Sequence, residues 1–246
     1  MDPLTTAAAS GLQSRLDSLD MLANNLANSS TSGFKADREF YSTYFSPDLD
    51  SGVDPTVGAS PVVEKNWTDF SQGTLLPTGN STDLALSGPG FFAVNGPNGT
   101  LYTRNGGFRI SPKGVLVTAE GYPVRLVDNQ TLQTQSANPI EVAPDGGLVQ
   151  DGLPLGQLEL ANFDDPSQLT KLPDGFFQTP GPQVTATPAT SVQVAQGKLE
   201  SSNTGPAEAS ARMISLLRHF EMLQHAIKIG ADMNRQAVEE VAKVVS

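Results

Sequence analysis

The two ends of this chain are written for long helices and its middle forbids them. Of 18 prolines, 17 lie between Pro47 and Pro206, and of 23 glycines only Gly11, Gly33 and Gly230 fall outside residues 34–205. Proline inside a helix removes a donor and clashes with the preceding turn, and glycine costs about 1 kcal/mol there. Helices are thereby confined to the termini. Leu12, Leu16, Leu19, Ala23 and Leu26 recur at spacings of 4, 3, 4 and 3, which predicts a heptad-striped helix from about Thr5 to Asn28. The run from Asn28 to Gly33 ends it, because short polar side chains compete for backbone hydrogen bonds and Gly33 can take positive φ.

At the other end Met213, Leu216, Phe220, Leu223, Ile227, Gly230, Asn234, Ala237, Val241 and Val244 continue the same alternation without a break. Pro206 suits the first turn, Thr204 a cap, and Glu208 the positive end of the dipole. The two helices would be about 36 and 60 Å long. Stripes so narrow need a partner, either each other in an antiparallel pair or other subunits in a coiled coil. Gly230 and Asn234 favour the second reading, since a small and a polar residue at a seam fix approach and register.

The middle reads as β structure. Residues 46–61, rich in Pro, Gly, Ser and Asp, read as an extended loop. From Asp83 short apolar runs alternate with turn chemistry: DLALS, FFAV, TLYTR, FRI, VLVTA, YPVRLV, LVQ and LGQLELANF. About eight such strands predict a small antiparallel sandwich or barrel, with Asn95 to Gly99 as a hairpin loop and Ser111 to Gly114 as a type I turn. The expected class is α+β, with terminal heptad helices forming a coiled-coil stalk and a central, mainly antiparallel β domain. Its parts would be an N-terminal helix at 1–33, a connector at 34–82, the β domain at 83–199, and the C-terminal helix at 200–246.

Charge and composition narrow the function classes. The 26 acidic against 15 basic residues give a net charge of −11, which disfavours nucleic acid or an anionic membrane as the main partner. There is no cysteine for thiol chemistry, and His219 and His225 lie six apart on different helix faces, so neither a metal site nor a cofactor is expected. Gly88-Pro89-Gly90-Phe91-Phe92-Ala93 matches a dinucleotide-loop pattern, but FFAV runs straight into turn residues where that loop must open a helix. Asp145, Asp164 and Asp165 sit in turn sequences where their side chains satisfy backbone N–H groups. Trp67, beside Phe70, reads as a packing anchor, and the five Asn-x-Ser/Thr sequons carry no functional weight. No catalytic residue and no small-molecule substrate are expected. No apolar run is long enough to span a bilayer, and no secretory signal opens the chain.

One segment is specific. LANNLANSSTSGFKADREF, from Leu22, resembles the N-terminal signature of the bacterial flagellar axial proteins of rod and hook. The matching residues are Asn24, Asn25, Leu26, Ala27, Asn28, Thr31, Gly33, Phe34 and Lys35. Blocks beginning at Phe70, Tyr102, Gly156 and Val194 resemble the same family in order, nearest to its proximal rod members and next to its distal ones. The resemblance implies a self-assembling structural subunit of the basal-body rod, the axial drive-shaft that carries torque to the hook. Its implied partners are copies of itself, other rod proteins and the flagellar type III export apparatus. Its implied place is the periplasm-spanning basal body, reached without a cleaved signal. On that reading Leu12, Leu16, Leu19 and Leu26 of the first helix, with Met213, Leu216, Phe220, Leu223, Ile227 and Val241 of the second, form the assembly seam. The competing class is a β binding module that its helices merely dimerise.

Overall fold

The computed structural model describes residues 3–44, 60–134, 136 and 138–245. The chain divides into two units, one of residues 1–27, 37–67 and 206–246 and the other of residues 28–36 and 68–205.

The first unit holds both helices. α1 (Pro3–Ala27) and α2 (Pro206–Val245) each open on a proline, whose missing N–H is no loss in a first turn, and Glu208 sits in the first turn of α2. α1 packs against α2 and against β1 (Asp37–Tyr44), which forms a two-stranded sheet with β2 (Ser60–Thr68). The stretch 34–82, expected as a connector, therefore contains strands. DREFYSTY and SPVVEKNWT carry the aromatic and β-branched residues that suit a pleated surface. Most of the expected loop at 46–61 lies outside the described residues.

The second unit is built on a six-stranded antiparallel sheet. Its central strands are β5 (Phe91–Gly96) and β6 (Gly99–Thr103), joined as a hairpin with Gly96 opposite Gly99. Leu160–Asn162 and Thr187–Pro188 extend the sheet beyond β5, and Phe176–Gln178 and Thr170–Lys171 extend it beyond β6. β5 is buried on both faces, so its run is continuously apolar instead of alternating. Phe92 and Val94 enter a core with Leu84, Leu86, Phe108, Leu148 and Val194, while Phe91 and Ala93 join Tyr102, Phe163 and Phe177 on the other side. Smaller ladders surround the sheet: β3 (Leu75–Pro77) pairs with Lys198–Glu200, and β4 (Leu84–Ser87) with Gln193–Gln196. The expected turn is present, with Gly114 N donating to Ser111 O at 2.9 Å. The molecule is α+β, with a mainly antiparallel β core and two helices.

Candidate assembly site

In the first unit the two buried side chains among the described residues of α1 are polar. Ser18 and Asn25 are 1% and 4% exposed, seven residues apart. Ser18 Oγ donates to Glu39 Oε2 at 2.7 Å. The Asn25 amide pairs with the peptide groups of Asp37, donating to its O at 2.7 Å and accepting from its N at 3.0 Å. A side-chain amide thus takes the place that a neighbouring strand would fill for β1. The leucine stripe named from spacing faces elsewhere: Leu16 is 43% exposed, and Leu19 and Leu26 are half-buried. On α2, Leu216 is buried, while Met213, Phe220, Leu223 and Ile227 are half-buried. The side chains of Leu12 and Val241 lie outside those described. A cleft of about 320 Å³ opens in this unit, lined by Met21, Leu22, Asp37, Arg38, Glu39, Arg212, Ser215, Leu216 and His219. His219 and His225 are both exposed.

The remaining signature residues belong to the second unit, where they close a clasp. Three chain segments meet there: residues 28–36, 68–74 and 198–205. Gly33 N donates to Glu200 O at 2.7 Å, Asn203 N to Phe34 O at 3.3 Å, and Asp69 N to Ala36 O at 2.8 Å. The Asn203 side chain accepts from Ala36 N at 2.8 Å and donates to Asp69 O at 2.6 Å. Gly33 has φ +69°, and a Cβ added to it would lie 2.4 Å from the backbone of Arg104 and Asn105. Only glycine fits, by conformation and by space. Phe34 is buried under Lys171, whose Nζ stands 4.3 Å from the ring centroid and donates to Lys35 O at 2.7 Å.

At the heart of the clasp lies a buried charge triad. Lys35 Nζ is 2.5 Å from Glu200 Oε1 and donates to Ser71 O at 2.7 Å, and Arg104 Nη1 is 3.3 Å from Glu200 Oε2. The Lys35 and Glu200 side chains are fully buried and that of Arg104 is 5% exposed. Glu200 Oε1 also accepts from Gly73 N at 2.8 Å. Arg104 Nη2 donates to Gly88 O at 2.9 Å, its guanidinium lies over the Phe91 ring, and its Nε is buried with no partner among the described residues. Burial pushes the Lys35 ammonium below its ordinary value against the pull of Glu200, and does the same to Arg104. Two cations therefore share one carboxylate. Sequence reasoning placed Lys35 and Glu200 in matching blocks without pairing them, since 165 residues separate them and no local spacing links them.

Gly88 and Gly90 take φ of +109° and +152°, and Phe91 to Ala93 enter β5, not a helix. Asp165 caps a short turn, accepting from Ser167 N at 3.1 Å, and Asp145 Oδ1 accepts from Gly147 N at 2.9 Å. Trp67 is 41% exposed, contrary to its expected packing role. Phe70 is the anchor, with ring centroids 5.2 Å from Phe177 and 5.8 Å from Phe91. The second unit has an open groove of about 900 Å³, but its Arg125 is committed to Glu159 at 2.8 Å and Thr100 at 2.6 Å.

Three family models match: "Flagella basal body rod protein" over residues 6–35, "Flagellar hook protein FlgE/F/G D1 domain" over 85–150, and "Flagellar basal body rod FlgEFG protein C-terminal" over 195–240. The flagellar basal-body rod protein FlgF of Caulobacter vibrioides is 34% identical over 92% of each chain. The flagellar basal-body rod protein FlgG of Buchnera aphidicola subsp. Schizaphis graminum is 32% identical over 95% of this chain and 97% of that one. FlgF of Mesorhizobium japonicum is 30% identical over 90% of each. With α1, the β unit and α2 all matched, and the clasp drawn from segments at both ends of that match, the chain belongs to the flagellar basal-body rod protein family.

Proposed function

We propose that this chain is a structural subunit of the bacterial flagellar basal-body rod, assembling with copies of itself and with other rod proteins into the shaft that transmits torque to the hook. The observation that carries the reading is the near full-length similarity to rod proteins named FlgF and FlgG. The structure supports it through the surfaces its helices leave uncovered. Apolar residues stay exposed on both terminal helices, Leu16 on α1 and Ile214, Leu217, Met222, Ile229 and Met233 on α2.

In the assembled state α1 and α2 form the coiled-coil stalk, with the leucine and α2 stripes as its seam. The chain reaches the basal body through the flagellar export apparatus without a cleaved signal and spans part of the periplasm. The test is quantitative mass spectrometry of purified basal bodies against cytoplasm and medium. Recovery in fixed ratio to other rod proteins is expected; absence from basal bodies with soluble protein elsewhere would overturn the reading.

A further inference from the structure

Three Asn-Gly steps fall within a dozen residues of the β unit, Asn95-Gly96, Asn98-Gly99 and Asn105-Gly106, and the function proposed above uses none of them. Such a step is open to self-modification, because glycine has no Cβ to shield its nitrogen and its backbone turns freely. The glycine nitrogen loses its proton to solvent and attacks Asn Cγ, the new C–N bond closes a five-membered succinimide, and the side-chain nitrogen leaves as ammonia. One water then opens the ring. Opening at the side-chain carbonyl gives aspartate, and opening at the main-chain carbonyl gives isoaspartate, whose main chain runs through Cβ.

The fold separates the three steps. Asn105 is held at both ends: its N donates to Thr103 Oγ1 at 3.0 Å, and its Oδ1 accepts from Gly107 N at 3.0 Å. A Cβ added to Gly106 would overlap Leu84 O, and Gly106 O accepts from Leu84 N at 3.0 Å and from Phe108 N at 2.9 Å. Asn95 stands in the ladder of β5 and β6 opposite Thr100, and its N donates to Pro123 O at 2.8 Å. Gly96 is pressed against Leu101, whose Cδ1 lies 2.5 Å from the place of an added Cβ. Asn98 is differently placed. Pro97, Asn98 and Gly99 are all exposed at the hairpin tip, Gly99 takes φ +130°, and among the described residues no atom lies within 4 Å of the place its Cβ would take. Ring closure must rotate the peptide that joins Asn to Gly. At Asn98 that rotation meets solvent, whereas at Asn95 and Asn105 packed backbone must open first.

We propose that Asn98 is a self-modification site, converting to aspartate and isoaspartate in the folded protein while the fold protects Asn95 and Asn105. Conversion adds a negative charge at the tip of the hairpin. The isoaspartyl form also inserts one atom into the main chain between Gly96 and Gly99, the pair that closes the ladder.

The test follows the purified full chain at mildly alkaline pH by peptide mass mapping, with an isoaspartyl methyltransferase as the probe for isoaspartate. A one-dalton gain should appear at Asn98 about tenfold or more faster than at Asn95 and Asn105, and in urea the three rates should converge as the packed steps open. No gain at Asn98 in the folded chain, or equal rates at the three positions there, would overturn the proposal. So would an ordering that persists unchanged in urea, since the protection would then come from neighbouring residues and not from the fold. Asn98→Ser, at an exposed position, should remove the acidic species that ion exchange resolves from the ageing intact chain. Persistence of that species at the original rate would place the chemistry elsewhere and sink the assignment.

Discussion

Glu200→Gln tests whether charge holds the clasp. The Glu200 carboxylate balances Lys35 at 2.5 Å and Arg104 at 3.3 Å, with all three side chains at or below 5% exposure. Neutralising it leaves two buried cations without an anion. Removing one partner of a buried pair costs about 3 to 5 kcal/mol, a large part of the stability of a domain that totals about 5 to 15 kcal/mol. Lys35→Met is the milder change. It conserves shape and leaves Glu200 with Arg104 and Gly73 N, at the loss of two charge-assisted bonds, to Glu200 Oε1 and to Ser71 O, each worth about 1.5 to 3 kcal/mol. The relieved desolvation of the ammonium offsets most of that, so a net cost of about 1 to 2 kcal/mol is expected.

The two changes must also couple, because in the Lys35→Met background Glu200→Gln strands one cation and not two. The double variant should be more stable than the sum of the single effects by about 1 to 3 kcal/mol. Urea unfolding, followed by the near-ultraviolet circular dichroism of Tyr102 and Tyr122, measures all four corners of the cycle. The differences should persist in high salt, since ions screen buried pairs weakly. Equal, small costs for both single variants, or strict additivity, would refute the argument and reduce the triad to a set of replaceable hydrogen bonds.

Four further outcomes are expected. Gly33→Ala should cost about 2 to 5 kcal/mol, combining left-handed strain with overpacking on the Arg104 backbone. Gly79→Ala, at φ +74° with open space around it, should cost only about 1 to 2 kcal/mol in the same urea assay. Asn25→Leu should cost about 1 to 3 kcal/mol and speed hydrogen exchange at the Asp37 amide, since both of its hydrogen bonds to the Asp37 peptide groups are lost. Hydrogen bonds from Ser136 and Asn138 hold the Asp151 carboxyl below its ordinary value. Its contribution to stability is therefore present above the unfolded value and lost as pH falls through the folded one. Carbon-13 titration should give a low midpoint that Ser136→Ala/Asn138→Ala returns toward the ordinary range.

Periodicity made the helices legible, because the i, i+3, i+4 repeat is a local property that the chain carries whatever it packs against. The hairpin at Asn95 to Gly99 and the turn at Ser111 were legible for the same reason: turn chemistry is written in four or five residues. Which face of α1 is buried was not. The leucine stripe outranks Ser18 and Asn25 on any hydrophobic scale, yet β1 needs hydrogen-bonding partners along its edge, and an amide supplies what leucine cannot. The strands of 37–68 escaped because their aromatic and β-branched content lies beside a proline- and glycine-rich stretch that dominates the local composition. The clasp escaped because it is assembled from three segments far apart in sequence.

The signature that reads as one motif therefore serves two physical tasks on either side of a unit boundary. Asn25 satisfies a strand peptide within the helical unit, whereas Gly33, Phe34 and Lys35 supply a turn, a covered ring and a cation to the β unit. Asn28 and Thr31 make the turn between these tasks, with Thr31 N donating to Asn28 O at 3.0 Å. A run of residues under two unrelated constraints tolerates little drift in length, since one insertion would move either the amide from Asp37 or the ammonium from Glu200. The leucines at 16 and 19 stand under neither constraint. Leu16 in particular is 43% exposed, so the folded monomer makes little use of its apolar side chain, and the rod function proposed above would.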